Sequence, residues 1–203
     1  MWQSKNRSIL SKRKSIYILA FFAVLIIAKG CGIFETRDPE VPLTIRSTYF
    51  PPTSADIVIS NLTYSIEEKN SENYRKCVSD INYQYIPDSR SAQIYEVFAT
   101  WDKTAEKRYL DNLIARTDQN STSQLFLSNQ RLRQISSDSA IFQADYIFVF
   151  QHNNPGTPKS GKGNLLISLA TDEDDLFYMR KWEDFRQNDT DFTWSEFKAN
   201  FSN

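Results

Sequence analysis

The chain has 203 residues, with 24 Lys and Arg against 25 Asp and Glu, one His and two Cys, which is enough for one domain with an appendage. Six of the basic residues and none of the acids lie at or before Lys29, so the remainder carries 18 basic against 25 acidic residues, an acidic balance that excludes nucleic acid as a partner. A single His with so few thiols excludes a zinc site and a disulfide framework.

Lys5, Arg7, Lys12, Arg13 and Lys14 precede an apolar run from Ile16 to Ala28, the pattern of a secretory leader. Crossing a bilayer core takes roughly 20 apolar residues, and Lys29 closes this run well before that. Residues 1–30 are therefore expected to be a signal peptide, with an uncleaved inner-membrane signal anchor as the alternative. The run ends in Ala28-Lys29-Gly30-Cys31, which resembles the lipobox of bacterial lipoproteins. Gly30 fits that pattern, while Lys29 and Ala28 depart from it. The resemblance implies lipidation of Cys31, making the membrane a partner through an N-terminal lipid. Residues 31–53, punctuated by Pro39, Pro42, Pro51 and Pro52, would form a semi-rigid tether. Gly32 after the cysteine implies, by the same resemblance, the outer membrane with the domain facing the periplasm.

The domain is expected over residues 54–203. Ser54 or Thr53 is placed to cap a first helix, with Asp56 completing a capping box, and Val58, Ile59, Leu62 and Ile66 follow at helical spacing through Lys69. Asn70 and Ser71 break it. A short helix over 72–78 puts Tyr74 and Cys77 on one side, and Cys77, with no His nearby in sequence, reads as a buried inert thiol. Residues 82–86 read as a short strand ended by Pro87-Asp88. A third helical region over 91–116 carries the stripe Ile94, Val97, Phe98, Trp101, Ala105, Tyr109 and Leu113, with Asp102 able to cap a restart after a kink.

After residues 118–121 the hydrophobic period changes from about 3.6 to 2. Strands are predicted over 124–135, 139–152, 163–171 and 176–185, joined by short turns and by a Gly- and Pro-containing loop over 153–162. In the second of these, Ala140, Phe142, Ala144, Tyr146, Phe148 and Phe150 share one face, with His152 at its end. Gly161-Lys-Gly163 reads as hairpin loop and Asp172-Glu-Asp-Asp175 as a solvated turn. Trp194, Phe197, Lys198 and Phe201 fall on one side of a closing amphipathic turn.

Helices followed by a bent antiparallel meander is the order of the NTF2-like (SnoaL-like, cystatin-like) cone, an α+β fold. Asn61-Leu-Thr-Tyr-Ser-Ile-Glu-Glu-Lys-Asn70, Glu72-Asn-Tyr74, Trp182-Glu-Asp184 and Trp194-Ser-Glu-Phe-Lys198 resemble stretches of a group of bacterial NTF2-like lipoproteins. The resemblance spans about residues 54–201 and implies N-terminal helices packed on a strongly bent sheet.

Candidate pocket residues are Trp101, Tyr146, Phe148, His152, Tyr178, Arg180, Trp182 and Asp184. Alternation in the last strand puts Tyr178, Arg180, Trp182 and Asp184 on one mixed polar and aromatic face, and His152 reads as a rim histidine. Enzymes of this fold that resemble ketosteroid isomerase use a carboxylate or His base with a Tyr or acid donor, for which Asp184, His152, Asp80, Tyr146, Tyr178 and Tyr83 are the candidates. No Walker-type or dinucleotide fingerprint is present, so neither cofactor nor metal is expected. The leading expectation is a non-enzymatic anchored domain binding a small apolar ligand or an envelope protein. The alternatives are an isomerase- or hydratase-like enzyme, which needs Asp184 or His152 beside a tyrosine in a deep cavity, and a structural spacer, which needs a cone filled by side chains.

Overall fold

The computed structural model describes residues 47–203; the leader, Cys31 and the tether up to residue 46 lie outside the described residues. Residues 47–53 run without regular structure along the domain. Thr48 N–H donates to Glu68 Oε2 at 2.7 Å, and Asn61 brackets Phe50, accepting from its N–H at 3.0 Å and donating to its carbonyl at 2.7 Å.

Helix α1 (Ala55–Glu67) buries Val58, Ile59, Leu62 and Ile66, the expected stripe. The expected capping box is absent, because Ser54 is the cap residue and its side chain accepts nothing; Asp56 contributes only its charge to the first turn. Asn70 accepts from Asn73 N–H and starts α2 (Ser71–Lys76). After β1 (Gln84–Ile86) the helical region divides more finely than expected, into α3 (Ser89–Ile94), a 3-10 turn (Glu96–Thr100) and α4 (Lys103–Ala115). Two aspartate caps impose the division: Asp88 accepts from Arg90 and Ser91 N–H, and Asp102 accepts from Ala105 N–H at 2.8 Å. Ile94 drops off the stripe and lies 56% exposed.

β2 (Ser123–Ser136), β3 (Ser139–Phe150), β4 (Ser160–Thr171) and β5 (Phe177–Phe185) form the antiparallel meander, and β1 adds in parallel beside β5, giving the order β1-β5-β4-β3-β2. The inner face of β3 is buried from Ala140 to Phe150 as its alternation predicts. Over that face lie α1, against β2 and β5, and the terminal helix α5 (Trp194–Asn200), against β4, while α4 packs on α2 and α5.

Two expectations about the strands are corrected. β4 starts at Ser160 rather than Gly163, so Gly161-Lys-Gly163 is strand and not hairpin loop. A Cβ on Gly163 would lie 2.5 Å from the Phe185 carbonyl and 2.7 Å from the Tyr146 hydroxyl, and one on Gly161 would lie 2.8 Å from the Phe192 carbonyl, so glycine is there to admit close neighbours. In β5, Leu169 faces Met179 but Ser168 faces Lys181, leaving Arg180 as an extra residue. That bulge reverses the alternation: Phe177 and Met179 point inward before it, Trp182 and Asp184 after it.

Candidate functional site

The interior of the cone is occupied by side chains of α5 and of Phe201, the residue that caps its end. Trp194, Phe197, Lys198 and Phe201 are all fully buried. Trp194 stacks on Phe148 with centroids 4.5 Å apart and meets Trp182 edge-on at 4.6 Å, while Phe197 meets Phe148 edge-on at 4.9 Å.

Two carboxylates anchor this plug. Asp184 on β5 accepts from Ser195 N–H at 2.7 Å, Ser195 Oγ at 2.5 Å and Tyr146 Oη at 2.8 Å. Tyr146 Oη in turn accepts from Trp194 N–H at 2.7 Å. The first amides of α5, which have no partner within the helix, are thus satisfied from the sheet, and Thr193 with Glu196 closes a capping box on the rest. Burial pushes the Asp184 carboxyl above its usual range, partly offset by the hydrogen bonds from Ser195 and Tyr146. Outside this core, Asp88 accepts from Thr193 Oγ1 at 2.8 Å, and Arg186 bridges Asp88 at 3.2 Å and Glu196 at 3.0 Å. Burial opposes ionisation of Asp88, but hydrogen bonds from Ser91 and Thr193 together with the Arg186 charge hold its carboxyl below the usual range.

The second carboxylate, Glu106 on α4, is fully buried. It accepts from Lys198 Nζ at 2.5 Å, Tyr83 Oη at 2.6 Å, Tyr74 Oη at 2.7 Å and Trp101 Nε1 at 2.8 Å. The Lys198 ammonium also lies 3.5 Å from the Tyr85 ring centroid and 4.2 Å from that of Trp182, an aromatic cage around a cation. Burial lowers the Lys198 pKa to about 8 against the pull of Glu106. An ion pair this deep costs desolvation on both charges, and the ring faces and three neutral donors offset part of that cost.

His152 is buried, not at the rim as expected. It bridges Thr117, its Nδ1 accepts from Asn154 N–H at 3.2 Å, its Nε2 pairs with the Pro158 carbonyl at 3.0 Å, and Phe201, just past α5, closes on its ring at 4.9 Å. An accepting Nδ1 defines a neutral ring donating through Nε2, and burial lowers its pKa. Of the expected lining residues, Trp101, Tyr146, Phe148, Trp182 and Asp184 meet around α5. Tyr178 and Arg180 do not join them, because the bulge turns both to the other face. Cys77 is buried and free, its thiol pushed up to about 12 by burial, which leaves no nucleophilic thiolate.

Asp184 and Tyr146 are within hydrogen-bond reach, the pairing an acid–base reaction would use, but they face helix amides and no open volume. The clefts described lie outside the cone. One, of about 450 Å³, is lined by Arg75, Asp80, Tyr83, Lys103 and Lys107 among others. Its cations are each paired: Lys103 with Asp80 at 2.7 Å, Arg75 with Glu72 at 3.4 Å, and Lys107 with Glu72 at 3.1 Å and with Asp111 at 2.7 Å. Among the described residues no group of three or more His, Cys, Asp or Glu side chains could hold a metal ion.

Sequence reasoning missed Glu106, Tyr85 and Ser195 and the burial of the Lys198 charge. One signal was available: Glu106 lies three residues before Tyr109 and seven before Leu113, a charge inside the apolar stripe.

No family model and no curated protein sequence matches this chain. Solved structures do. A Novosphingobium aromaticivorans protein assigned as an aromatic ring hydroxylase is similar at 8% identity, with 73% of this chain and 96% of that one covered and a TM-score of 0.52. A protein of the same organism assigned as a scytalone dehydratase follows at 11% identity, 64% and 78% coverage and a TM-score of 0.50. A third from that organism, described as NTF2-like with a cystatin-like fold, aligns at 10% identity over 66% and 79% with a TM-score of 0.45. At such identities the likeness speaks for architecture alone. The described domain has the NTF2-like α+β fold, helices packed on a curled, unclosed five-stranded sheet.

Proposed function

We propose that the protein is a lipid-anchored lipoprotein of the bacterial envelope whose NTF2-like domain binds a protein partner through its surface and carries out no reaction. The observation that carries this reading is the occupation of the cone by α5, which turns the Asp184–Tyr146 pair and the Glu106 cluster into anchors for a helix. The basic leader, the lipobox-like ending at Cys31 and the proline-punctuated tether support the anchored location. A structural spacer draws on the same filled cone and differs in having no partner. An isomerase- or dehydratase-like enzyme draws on the 2.8 Å contact between Asp184 and Tyr146 and on the dehydratase assignment of one structural neighbour, and it requires α5 to leave.

Two measurements test the proposal. Mass spectrometry of the mature amino terminus is expected to show an acylated Cys31 that is lost in Cys31→Ser; an intact leader overturns the anchored location. Titration of the full chain with the apolar fluorophore N-phenyl-1-naphthylamine is expected to show no saturable uptake. Stoichiometric uptake overturns the filled cone and returns the enzyme reading.

A further inference from the structure

β2 ends the sheet, and among the described residues it pairs only with β3. Its other edge therefore presents backbone N–H and C=O groups without a strand partner, a template for another chain. Beside that edge, between β2 and α1, runs a groove of about 260 Å³ lined by Ile59, Thr63 and Tyr64 from the helix and Leu125, Leu127 and Gln130 from the strand. A helix, a strand edge and a groove of mixed polar and apolar lining between them are what a protein needs to take up an extended peptide as an added strand, with main-chain bonds giving affinity and the groove reading alternate side chains. The devices that usually blunt an edge are sparse here: β2 has 14 residues, no Pro, no Lys and no acid, and it exposes Phe126, Leu132 and Ile135. Its irregularities are two register shifts, one between Ser128 and Arg131, with Asn129 at φ 51°, and one between Gln134 and Ser136.

Charge selects the occupant. The only charged residues of β2 are Arg131 and Arg133, both exposed, on a domain that is acidic in balance. A second copy pairing β2 with β2 would gather four guanidinium groups with no carboxylate on either strand to receive them. The nearby Asp145 is already held by Asn129 and Asn164. Building on the protein-binding reading above, we propose that the free edge of β2 takes an extended segment of a partner protein as a sixth strand. Alternate apolar side chains of that segment fill the groove against Tyr64, Leu125 and Leu127, and acidic residues following them meet Arg131 and Arg133.

The test is fluorescence anisotropy of the full chain with a fluorescein-labelled peptide of sequence VTLTVSEDE. Saturable binding is expected. Thr63→Trp, which fills the groove from a half-exposed helix position, should weaken it at least tenfold, and so should methylation of alternate peptide amides. Arg131→Glu with Arg133→Glu should weaken it similarly and restore binding to the lysine counterpart VTLTVSKKK. Absence of saturable binding, or binding indifferent to all of these changes, overturns the assignment. A photo-cross-linker at Phe126, compared with one at Thr104 in the cleft beside Tyr83, separates this inference from the reading it rests on. Envelope-protein adducts at Thr104 alone sink the β2 edge and leave a binding domain standing, whereas adducts at neither position sink both.

Discussion

At the β5 end of the sheet, the buried carboxylates of Asp184 and Glu106 are each matched to donors on α2, α5, β3 or the segments flanking β1 and α4, and α5 is locked in place. At the β2 end, residues 128–136 are all exposed, and among the described residues the strand has a partner on one side only. The same bent meander supports both ends, so the difference comes from what covers it. Where α5 lies, burial forces every charge to find a counterpart, because an unpaired buried charge is far more costly than a missing surface contact. Beyond the reach of the helices no such demand operates, and polar and apolar side chains mix freely. The interior thus holds the protein together, and the open edge is where the proposed partner segment would add.

The comparison is broken most severely by removing the plug. Trp194→Ala deletes the side chain stacked on Phe148 and should cost about 3–5 kcal/mol in urea unfolding, the range for large aromatic truncations in a core. If the truncated chain still folds, it should gain uptake of N-phenyl-1-naphthylamine that the wild type lacks. Lys198→Met leaves Glu106 buried without its cation, again a loss of about 3–5 kcal/mol. Pairing it with Glu106→Gln removes the orphaned charge while retaining an acceptor for Tyr74, Tyr83 and Trp101, so the double variant should be more stable than the single one. Equal or additive losses would mean that the ion pair is not what couples α4 to α5.

Much of this arrangement was legible from spacing. The period-2 alternation of β3 and the 3.6 spacing of α1 placed their buried faces without long-range information, since each pattern is set by local backbone geometry. What escaped depends on partners distant in sequence. Arg180 carries no Gly or Pro to announce a bulge, so Tyr178 and Arg180 were grouped with Trp182 and Asp184 although only the latter pair faces inward. His152 looked like a strand end, but it is buried by a bridge to Thr117 and by Phe201, 49 residues later in sequence. Lys198 lay correctly on the apolar side of its turn, yet its burial depends on Glu106, 92 residues away, and no local pattern reports such a pair.

A smaller perturbation tests how tightly the covered end is fitted. Gly163→Ala places a methyl group against the Phe185 carbonyl and the Tyr146 hydroxyl, and should cost about 1–3 kcal/mol by overpacking. Because Tyr146 links Asp184 to Trp194 N–H, hydrogen exchange at Trp194 should accelerate more than at Leu113. Asp184 adds a pH signature. Its folded pKa is raised by burial, so between the ordinary carboxylate range and that raised value the native state holds a proton that the unfolded chain releases. This contribution is present at low pH and is lost as pH rises through the folded value. Asp88, held below its usual range, acts in the opposite sense, its contribution being lost as pH falls. Asp184→Asn should therefore remove the loss on raising pH and leave the loss on lowering it. A variant whose stability still declines through the carboxylate range as pH rises would assign that titration to another group.

The smallest effect on stability is expected at the open edge. Arg131 and Arg133 are exposed and touch neither the plug nor its carboxylate anchors, so reversing both to Glu should change unfolding free energy by no more than about 0.5 kcal/mol. The same reversal should weaken the acidic peptide at least tenfold, a large effect on binding from a pair with almost none on folding. That separation is what the contrast between the two ends requires. If the reversal instead destabilised the domain as much as Gly163→Ala, the arginines would be part of the fold's own electrostatics, and β2 would be a structural edge rather than a docking one.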